Sequence, residues 1–117
     1  MRRFAASIIY LSESVKCINS YIEIDDEGRF LKVAKLSDTQ SEVCFTPFYN
    51  GVLLPFTKEE IESQLKFVVD LQSLVHHLFK DREIKQGTLL KQLSLIEGDT
   101  LLTTGIVDNI FCRMLYS

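Results

Sequence analysis

The chain has 117 residues and a formal net charge of -3, and its 13 basic residues are scattered along it. That length predicts one domain, residues 1–117, with enough chain to bury roughly two thirds of the surface it exposes when unfolded. The scattered basic residues argue against nucleic acid as a partner. No stretch approaches the roughly 20 apolar residues that a membrane span requires.

The cysteines and the N-terminal segment both predict a cytoplasmic chain. Cys17, Cys44 and Cys112 form no C-x-x-C pair and leave an odd one out, which is typical of reduced thiols in a cytoplasmic protein. The apolar run that follows Arg2 and Arg3 is short and lacks a small-residue cleavage pattern. It therefore predicts a first strand and not a signal peptide.

The front half of the chain predicts antiparallel strands. Residues 4–11 are apolar on both faces, which is typical of a strand covered on both sides. Strands over residues 18–24 and 29–36 flank a polar turn at 25–28 and predict a hairpin. Two further short strands are expected at 42–45 and 51–54, separated by Pro47.

One long helix is predicted over residues 57–80. Thr57 and Glu60 have the spacing of a capping box, and Phe56 and Ile61 have that of a hydrophobic staple. Apolar residues then recur at spacings of three and four, which indicates one packed helix face. They are Ile61, Leu65, Val68, Leu71, Val75 and Leu78.

Further apolar residues make this helix more hydrophobic than one packing surface requires. One hypothesis is an association interface at Phe67, Leu71, Leu74 and Leu78, since large exposed apolar patches are uncommon on monomers. The alternative is a helix buried on both sides within its own domain. A 3.6-residue pattern does not distinguish an intramolecular from an intermolecular neighbour.

The tail, residues 84–117, predicts two more strands. One covers residues 93–96 and stops at Glu97-Gly98-Asp99, and the other covers 109–116. Residues 85–92 fit either a loop or a helical turn. The predicted fold is α+β, an antiparallel β-sandwich or curled sheet packed with one long α-helix. Its parts are a β-rich front (1–56), the helix (57–80) and a β-rich tail (84–117).

The sequence predicts no catalytic, metal or cofactor site. His76 and His77 are adjacent on the predicted helix, so they point about 100 degrees apart and do not face one metal ion. The acidic run at 25–27 lacks the spacing of a calcium loop and is interpreted as a solvated turn. Asp70 is expected on an exposed helix face. Cys44 lies in an apolar stretch, where burial would raise its thiol pKa.

Two segments of the front half carry a resemblance to a known family. Residues 18–33, INSYIEIDDEGRFLKV, are similar to the hairpin N-G-x-I-x-I-D-x-x-G-x-I-x-x-V of the amidohydrolase superfamily, the metal-dependent hydrolases related to cytosine deaminase and imidazolonepropionase. Residues 48–55, FYNGVLLP, resemble the strand that leads into the catalytic barrel of that family.

This chain departs from the family where the metal site would begin. The family continues Pro-Gly-Phe-x-(Asn/Asp)-x-His-x-His, and its two histidines are the first metal ligands. Here Pro55 is followed by Phe56 and the predicted helix cap, with no His-x-His. Ser20 also stands where the family usually has Gly.

The tail resembles the C-terminal end of the same enzymes. Residues 84–87 and 93–96 match apolar and glycine positions of the pattern G-x-(I/L)-x-x-G-K-x-A-D-L-V, whereas residues 88–92 lack its Lys and Asp. The family places a barrel of roughly 250 residues between these two ends. The resemblance therefore implies a stand-alone composite β-sandwich domain that lacks the catalytic barrel.

These observations predict a non-catalytic association domain without a cofactor. Its expected partner is itself, as a homodimer, or another protein chain. The alternative is an accessory subunit or remnant of a hydrolase that acts on non-peptide C–N bonds. A third hypothesis is a small-molecule binding module with a groove between helix and sheet, for which the sequence supplies no convergent polar set.

Overall fold

The computed structural model describes residues 2–38, 46–90 and 92–116, and within them lie six strands and three α-helices. The helices are α1 (Lys58–Leu65), α2 (Leu71–Phe79) and α3 (Leu101–Thr104), and a 3-10 turn covers Leu36–Asp38. The strands are β1 (Arg2–Tyr10), β2 (Lys16–Ile24), β3 (Phe30–Lys35), β4 (Phe48–Leu54), β5 (Leu93–Glu97) and β6 (Phe111–Tyr116).

All six strands belong to one mixed sheet in the order β3-β2-β1-β4-β5-β6. Neighbouring strands are antiparallel except β1 and β4, which are parallel. The expected antiparallel sandwich or curled sheet with one long helix is therefore wrong. The physical reason is that the chain crosses after β3 to the far side of β1 and enters β4 in the same direction as β1. The strand predicted at 42–45 lies outside the described residues.

The two central strands are buried on both faces. Ile9 and Tyr10 of β1 are both buried although they point to opposite sides of the sheet, and so are Val52, Leu53 and Leu54 of β4. This confirms the two-sided covering predicted for residues 4–11. The sheet is consequently the middle layer of the molecule, with one apolar cluster on each side.

The helices cover one face of the sheet. Val52 and Ile96 from the sheet belong to one apolar cluster with Ile61 of α1, Leu74 of α2 and Leu101 of α3. Side chains of successive residues along a strand alternate between faces, so this cluster takes every second residue of β4 and β5. It is the larger of the two cores and fixes the helices on the sheet.

The opposite face is closed by the segment between α2 and β5. Ile22, Leu53 and Leu95 form the second cluster together with Leu90 from that segment. The Ile84 amide donates to the carbonyl of Leu11 (2.7 Å). The segment thus crosses this face as an ordered cover, which makes residues 85–90 a loop and not a helical turn.

The β2–β3 turn approaches the end of β6 at Gly28. This glycine has φ +89°, and a Cβ there would collide with the Tyr116 hydroxyl and lie 3.3 Å from the Leu90 carbonyl oxygen. The Phe4 and Tyr116 rings are also in contact, with centroids 6.3 Å apart. Elements from both ends of the strand order therefore meet around one residue that has no side chain.

The single helix predicted over residues 57–80 is two helices in the structure. Its predicted start is confirmed, because Thr57 and Glu60 exchange both hydrogen bonds of a capping box (3.1 and 3.0 Å). The first helix, α1, ends at Leu65, and α2 begins after a new N-cap at Asp70.

Backbone hydrogen bonds outside the helix accompany the break where the sequence pattern continues. The Leu71 amide donates to the Gly105 carbonyl (2.6 Å), and the Val69 carbonyl accepts from the Val107 amide (3.1 Å). Asp70, expected on an exposed helix face, instead caps α2 by accepting from the Ser73 amide (2.8 Å).

Candidate functional site

The predicted interface residues divide between the core and the surface. Leu71, Leu74 and Leu78 of α2 are buried in the helix-side cluster, and the exposed fraction of Leu74 is 0%. Phe67 lies in the turn between α1 and α2 and is 68% exposed. The apolar face of α2 is thus covered by the chain's own sheet and helices. Of the four predicted interface residues, only Phe67 is exposed to a partner.

The two histidines are exposed and point apart. The His76 Nδ1 atom lies 2.9 Å from Glu13 Oε2, and the His77 Nδ1 atom lies 2.8 Å from the Ser73 carbonyl oxygen. Their ring planes are 87° apart. Across residues 2–38, 46–90 and 92–116, no group of three or more His, Cys, Asp or Glu side chains is placed to hold a metal ion.

The described thiols are not set up as nucleophiles. Burial raises the pKa of Cys17, although the nearby Lys35 charge acts in the opposite direction. Burial, with a contribution from the Glu62 carboxylate, raises the pKa of Cys112 to about 11. A thiol must ionise to react, so both are protonated at neutral pH. Cys44 lies outside the described residues.

A cleft of about 550 Å³ lies between the end of β4 and the segment before β5, where Phe56, Glu60 and Arg82 contribute to its lining. The Arg82 guanidinium lies 4.7 Å from the Phe56 ring centroid and 3.8 Å from Glu60, and it donates to the Leu78 carbonyl (2.6 Å). The protein's own groups therefore already engage this cation.

One exposed apolar surface lies at the corner between α1 and α2. We call it the corner surface, and it comprises Phe67, Val69 and Ile106. Val69 is 76% exposed, but its carbonyl is already bonded to Val107. The residues on either side of Ile106 likewise have backbone groups bonded to Val69 and to Leu71, the first residue of α2. This surface therefore offers apolar side chains without free backbone partners at those positions.

A second apolar surface runs along the outer side of β6. We call it the β6 edge surface, and it comprises Phe111, Arg113 and Met114 with the outer backbone of the strand. Phe111 is 73% exposed and Met114 is 48% exposed. In the part of the chain that the structure describes, β6 pairs only with β5 and ends the sheet. Its outer side therefore combines apolar side chains with an open row of backbone groups.

The direction of those backbone groups follows from the pairing of β5. A Cβ on Gly51 would lie 2.6 Å from the Ile96 carbonyl oxygen, so this carbonyl is directed at β4. Ile96 lies opposite Cys112 on its other side. Since polar groups alternate along antiparallel strands, the amide and carbonyl of Cys112 point away from β5. Those of Met114, two residues on, share that direction.

Arg113 is the charged residue of this surface, and two contacts orient it. Its Nε atom lies 3.1 Å from Glu97 Oε1, and its guanidinium lies 5.2 Å from the Tyr49 ring centroid. Arg113 and Phe111 point to the same face of the sheet because they are two residues apart in one strand. The surface thus carries an aromatic ring beside an oriented cation.

The opposite edge of the sheet is protected. Lys32 and Lys35 are exposed along β3, and lysines on an edge strand oppose pairing with another chain. The beginning of β3 is also occupied, since Phe30 exchanges backbone hydrogen bonds with Gly87 and Thr88 (2.7 and 2.8 Å). Among the described residues, the β6 edge carries one charged side chain, Arg113, which is paired with Glu97 (3.1 Å), and no other segment bonds to its outer backbone. This distinguishes the β6 edge as the candidate site.

The strand predicted over residues 109–116 does not by itself reveal this surface. Its alternation places Ile110, Cys112, Met114 and Tyr116 on one side and says nothing of an open edge. The sequence does contain one indication of it. Phe111 is an aromatic residue on the opposite side of the strand from Cys112, and the only charged residue of that strand is Arg113. Apolar residues on both faces of a strand predict either a strand covered on both faces or an exposed edge strand. Only the order of strands in the sheet distinguishes these two cases.

Comparisons with protein-family models, curated proteins and solved structures gave no match. Within the described ranges, no helix is long and apolar enough to cross a membrane. The likeness to amidohydrolases therefore rests on the sequence segments 18–33, 48–55, 84–87 and 93–96 alone.

Proposed function

We propose that this chain is a non-catalytic association domain that forms a homodimer through the β6 edge surface. The observation that carries the proposal is the open outer side of β6 with Phe111 and Met114 exposed on it. An end strand with unpaired backbone groups is a template for pairing with another strand. Its apolar side chains add affinity when they leave water.

The β6 edge surface is preferred over the corner surface for a physical reason. At the corner, the Val69 carbonyl and the Leu71 amide are bonded within the chain, so a partner gains only apolar contact there. At β6, the outward amides and carbonyls of Cys112 and Met114 add directional hydrogen bonds to the apolar contact. Hydrogen bonds fix the orientation of a partner, which apolar contact alone, being non-directional, does less well.

Sedimentation equilibrium tests this function with a matched pair of double variants. Phe111→Ser with Met114→Ser removes the apolar side chains of the β6 edge, and Phe67→Ser with Val69→Ser removes those of the corner. We expect the wild type and the corner variant to approach dimer mass as concentration rises, and the β6 variant to stay at monomer mass. A wild type that is monomeric throughout, or a corner variant that alone loses mass, contradicts the proposal.

A second candidate function is that of an accessory subunit for a hydrolase acting on non-peptide C–N bonds. It is supported by hydrogen bonds that hold together the end of β4 and the beginning of β5, between which the chain forms α1 and α2. The Ser94 hydroxyl of β5 donates to the Phe56 carbonyl just after β4 (2.9 Å), and the Lys58 amide donates to Gln92 Oε1 (3.1 Å). By the resemblance, the catalytic barrel of an amidohydrolase is inserted at the corresponding point.

This second candidate predicts a neighbouring gene for a barrel protein that lacks its own sandwich domain. Co-expression of the two chains should then yield a complex of defined stoichiometry, measured by size-exclusion chromatography with light scattering. The candidate is abandoned if no such gene exists, or if the two chains elute separately.

We infer a cytoplasmic location from the thiols. Cys17 and Cys112 are free, and free thiols are typical of a reducing compartment. Alkylation of the unfolded chain, isolated without reductant, should therefore modify all three cysteines. Protection of any two of them would indicate a disulfide and an oxidising compartment.

A further inference from the structure

We propose that two copies of this chain pair their β6 strands antiparallel, with Cys112 of one copy opposite Cys112 of the other. This inference rests on the proposed function and specifies its geometry. A twofold axis perpendicular to the sheet then passes between the two Cys112 residues. The six-stranded sheet of each copy becomes half of a continuous twelve-stranded sheet.

The backbone groups of β6 that point away from β5 belong to the residues that this register requires. The amide and carbonyl of Cys112 point outward, because the Ile96 carbonyl opposite it is directed at β4. In an antiparallel pair, two opposite residues with inward-pointing groups exchange both N–H···O bonds. The two copies of Cys112 therefore exchange two bonds, and the outward amide and carbonyl of Met114 face Ile110 of the second copy at each end.

The helix-side face of the same register matches apolar side chains. A twofold axis perpendicular to the sheet keeps each face continuous, so residues whose numbers sum to 224 lie opposite one another. Ile110, which is half-buried, then meets the exposed Met114 of the second copy. Cross-strand pairs of this kind are the units that stabilise a sheet.

The other face matches an aromatic ring with a cation. Phe111 lies opposite Arg113 of the second copy, and the symmetry repeats that contact. Arg113 is oriented on this face by Glu97 (3.1 Å) and by the Tyr49 ring (5.2 Å). A guanidinium beside an aromatic ring is attracted by the ring quadrupole, so the pairing covers the exposed phenyl group with a complementary partner.

Neighbouring registers are less favourable. A register centred on Arg113 places the two guanidinium groups directly opposite each other, and like charges in that position are destabilising. A register centred on Phe111 keeps only residue 111 opposite a residue of β6, because residues 112–114 then face residues that precede the strand. The register centred on Cys112 avoids the like-charge contact and keeps residues 111–113 opposite one another, with Ile110 as the flanking residue opposite Met114.

Two charge variants at position 111 test the register. Within one chain, residue 111 lies opposite Glu97, so Phe111→Lys gains a favourable neighbour and Phe111→Glu gains a repulsive one. In the dimer, residue 111 lies opposite Arg113 of the second copy, where the preference is reversed. Both variants remove the phenyl ring, so each is the matched control for the other.

We expect the order of folding stability and the order of dimer affinity to be opposite. Chemical unfolding at low protein concentration should rank Phe111→Lys at or above Phe111→Glu. Sedimentation equilibrium should give Phe111→Glu a dimer dissociation constant roughly tenfold below that of Phe111→Lys, as expected for a reversed charge pair across an interface. Raising the salt concentration should reduce this difference.

Each outcome decides between the register and the proposed function. If both variants weaken the dimer equally relative to wild type, the register is wrong and association through β6 stands. If Phe111→Lys forms the tighter dimer, the register is also wrong. If neither variant changes the dimer, or the wild type is monomeric at every concentration, the proposed function fails together with the register.

Discussion

At the scale of single residues, Phe67 and Leu74 have opposite environments although both belong to the predicted interface. Leu74 is completely buried between the helices and the sheet, whereas Phe67 lies in solvent at the corner surface. Burying a leucine side chain contributes about 1.5–3 kcal/mol relative to leaving it exposed. Leu74 is therefore a stability residue, and Phe67 is not.

Truncating these two side chains should have very different effects on folding. We expect Leu74→Ala to lower the free energy of unfolding by about 2–5 kcal/mol, because it leaves a cavity in a packed core. Phe67→Ala should change it by less than about 0.5 kcal/mol. Urea unfolding followed by circular dichroism measures both, and similar losses for the two variants would argue against the described burial.

The sequence identified the apolar positions of this segment but not their environments. Spacings of three and four place Leu71, Leu74 and Leu78 on one side of a helix. They do not state whether a sheet of the same chain or a second chain covers that side. That information lies in Val52 and Ile96, which are distant in sequence and meet Leu74 only after the sheet has formed.

At the scale of secondary-structure elements, the start of α2 depends on Asp70. Its carboxylate accepts a hydrogen bond from the Ser73 amide (2.8 Å). That bond, followed by one from the Ser73 side chain, lowers the pKa of Asp70 below its usual value of 3.8. The helix dipole also favours a negative charge at this end. The ionised carboxylate is therefore part of what defines the helix boundary.

This cap predicts a specific acid sensitivity. A carboxyl whose pKa is lowered by folding stabilises the protein fully above its unfolded pKa of 3.8, and the contribution is lost as pH falls through the folded pKa. Asn also caps helices but does not titrate there. Thermal unfolding of Asp70→Asn should match the wild type at neutral pH and lose less stability below pH 3.8. An unchanged acid dependence would exclude this role.

The two helix starts differ in how far they can be predicted. The capping box of α1 is local, because Thr57 and Glu60 satisfy each other within four residues. The start of α2 is set by residues distant in sequence, because backbone hydrogen bonds with Gly105 and Val107 keep the residues on either side of Asp70 out of a continuous helix. The apolar periodicity runs through the break, so the sequence pattern predicts a continuous helix there.

At the scale of the whole molecule, the two ends of the strand order are joined where the β2–β3 turn meets β6. Asp25 shapes the turn by accepting hydrogen bonds from the Glu27 and Arg29 amides (2.9 Å each). Gly28 then brings the backbone against Tyr116 and Leu90. The contact joins residues from opposite ends of the strand order, so it stabilises the shape of the sheet and not one strand.

Gly28 and Gly87 form a matched pair for testing this closure. Both have left-handed backbone angles, φ +89° and +91°, but a Cβ has no neighbour within 4 Å at Gly87 and collides with Tyr116 at Gly28. We expect Gly87→Ala to cost about 1 kcal/mol of unfolding free energy. Gly28→Ala should cost at least about 1 kcal/mol more, since the neighbours must move. Equal urea midpoints for the two variants would show that Tyr116 is not packed there.

The order of the strands was beyond the sequence interpretation, although most of the individual strands were found. Residues 18–24 and 29–36 pair through a short turn, which local residues specify. The parallel pairing of β1 with β4 joins Ala6 to Tyr49 and Ile9 to Leu53, and no local pattern encodes it. Only the resulting order makes β6 an end strand and exposes Phe111.

Amide hydrogen exchange of β6, measured at several protein concentrations, tests association through this strand most directly. The Cys112 and Met114 amides point outward, whereas the Arg113 amide points toward Leu95 of β5. We expect exchange at Cys112 and Met114 to slow as concentration rises, with Arg113 protected throughout. Rapid exchange at Cys112 and Met114 at every concentration would contradict a homodimer formed through the β6 edge surface.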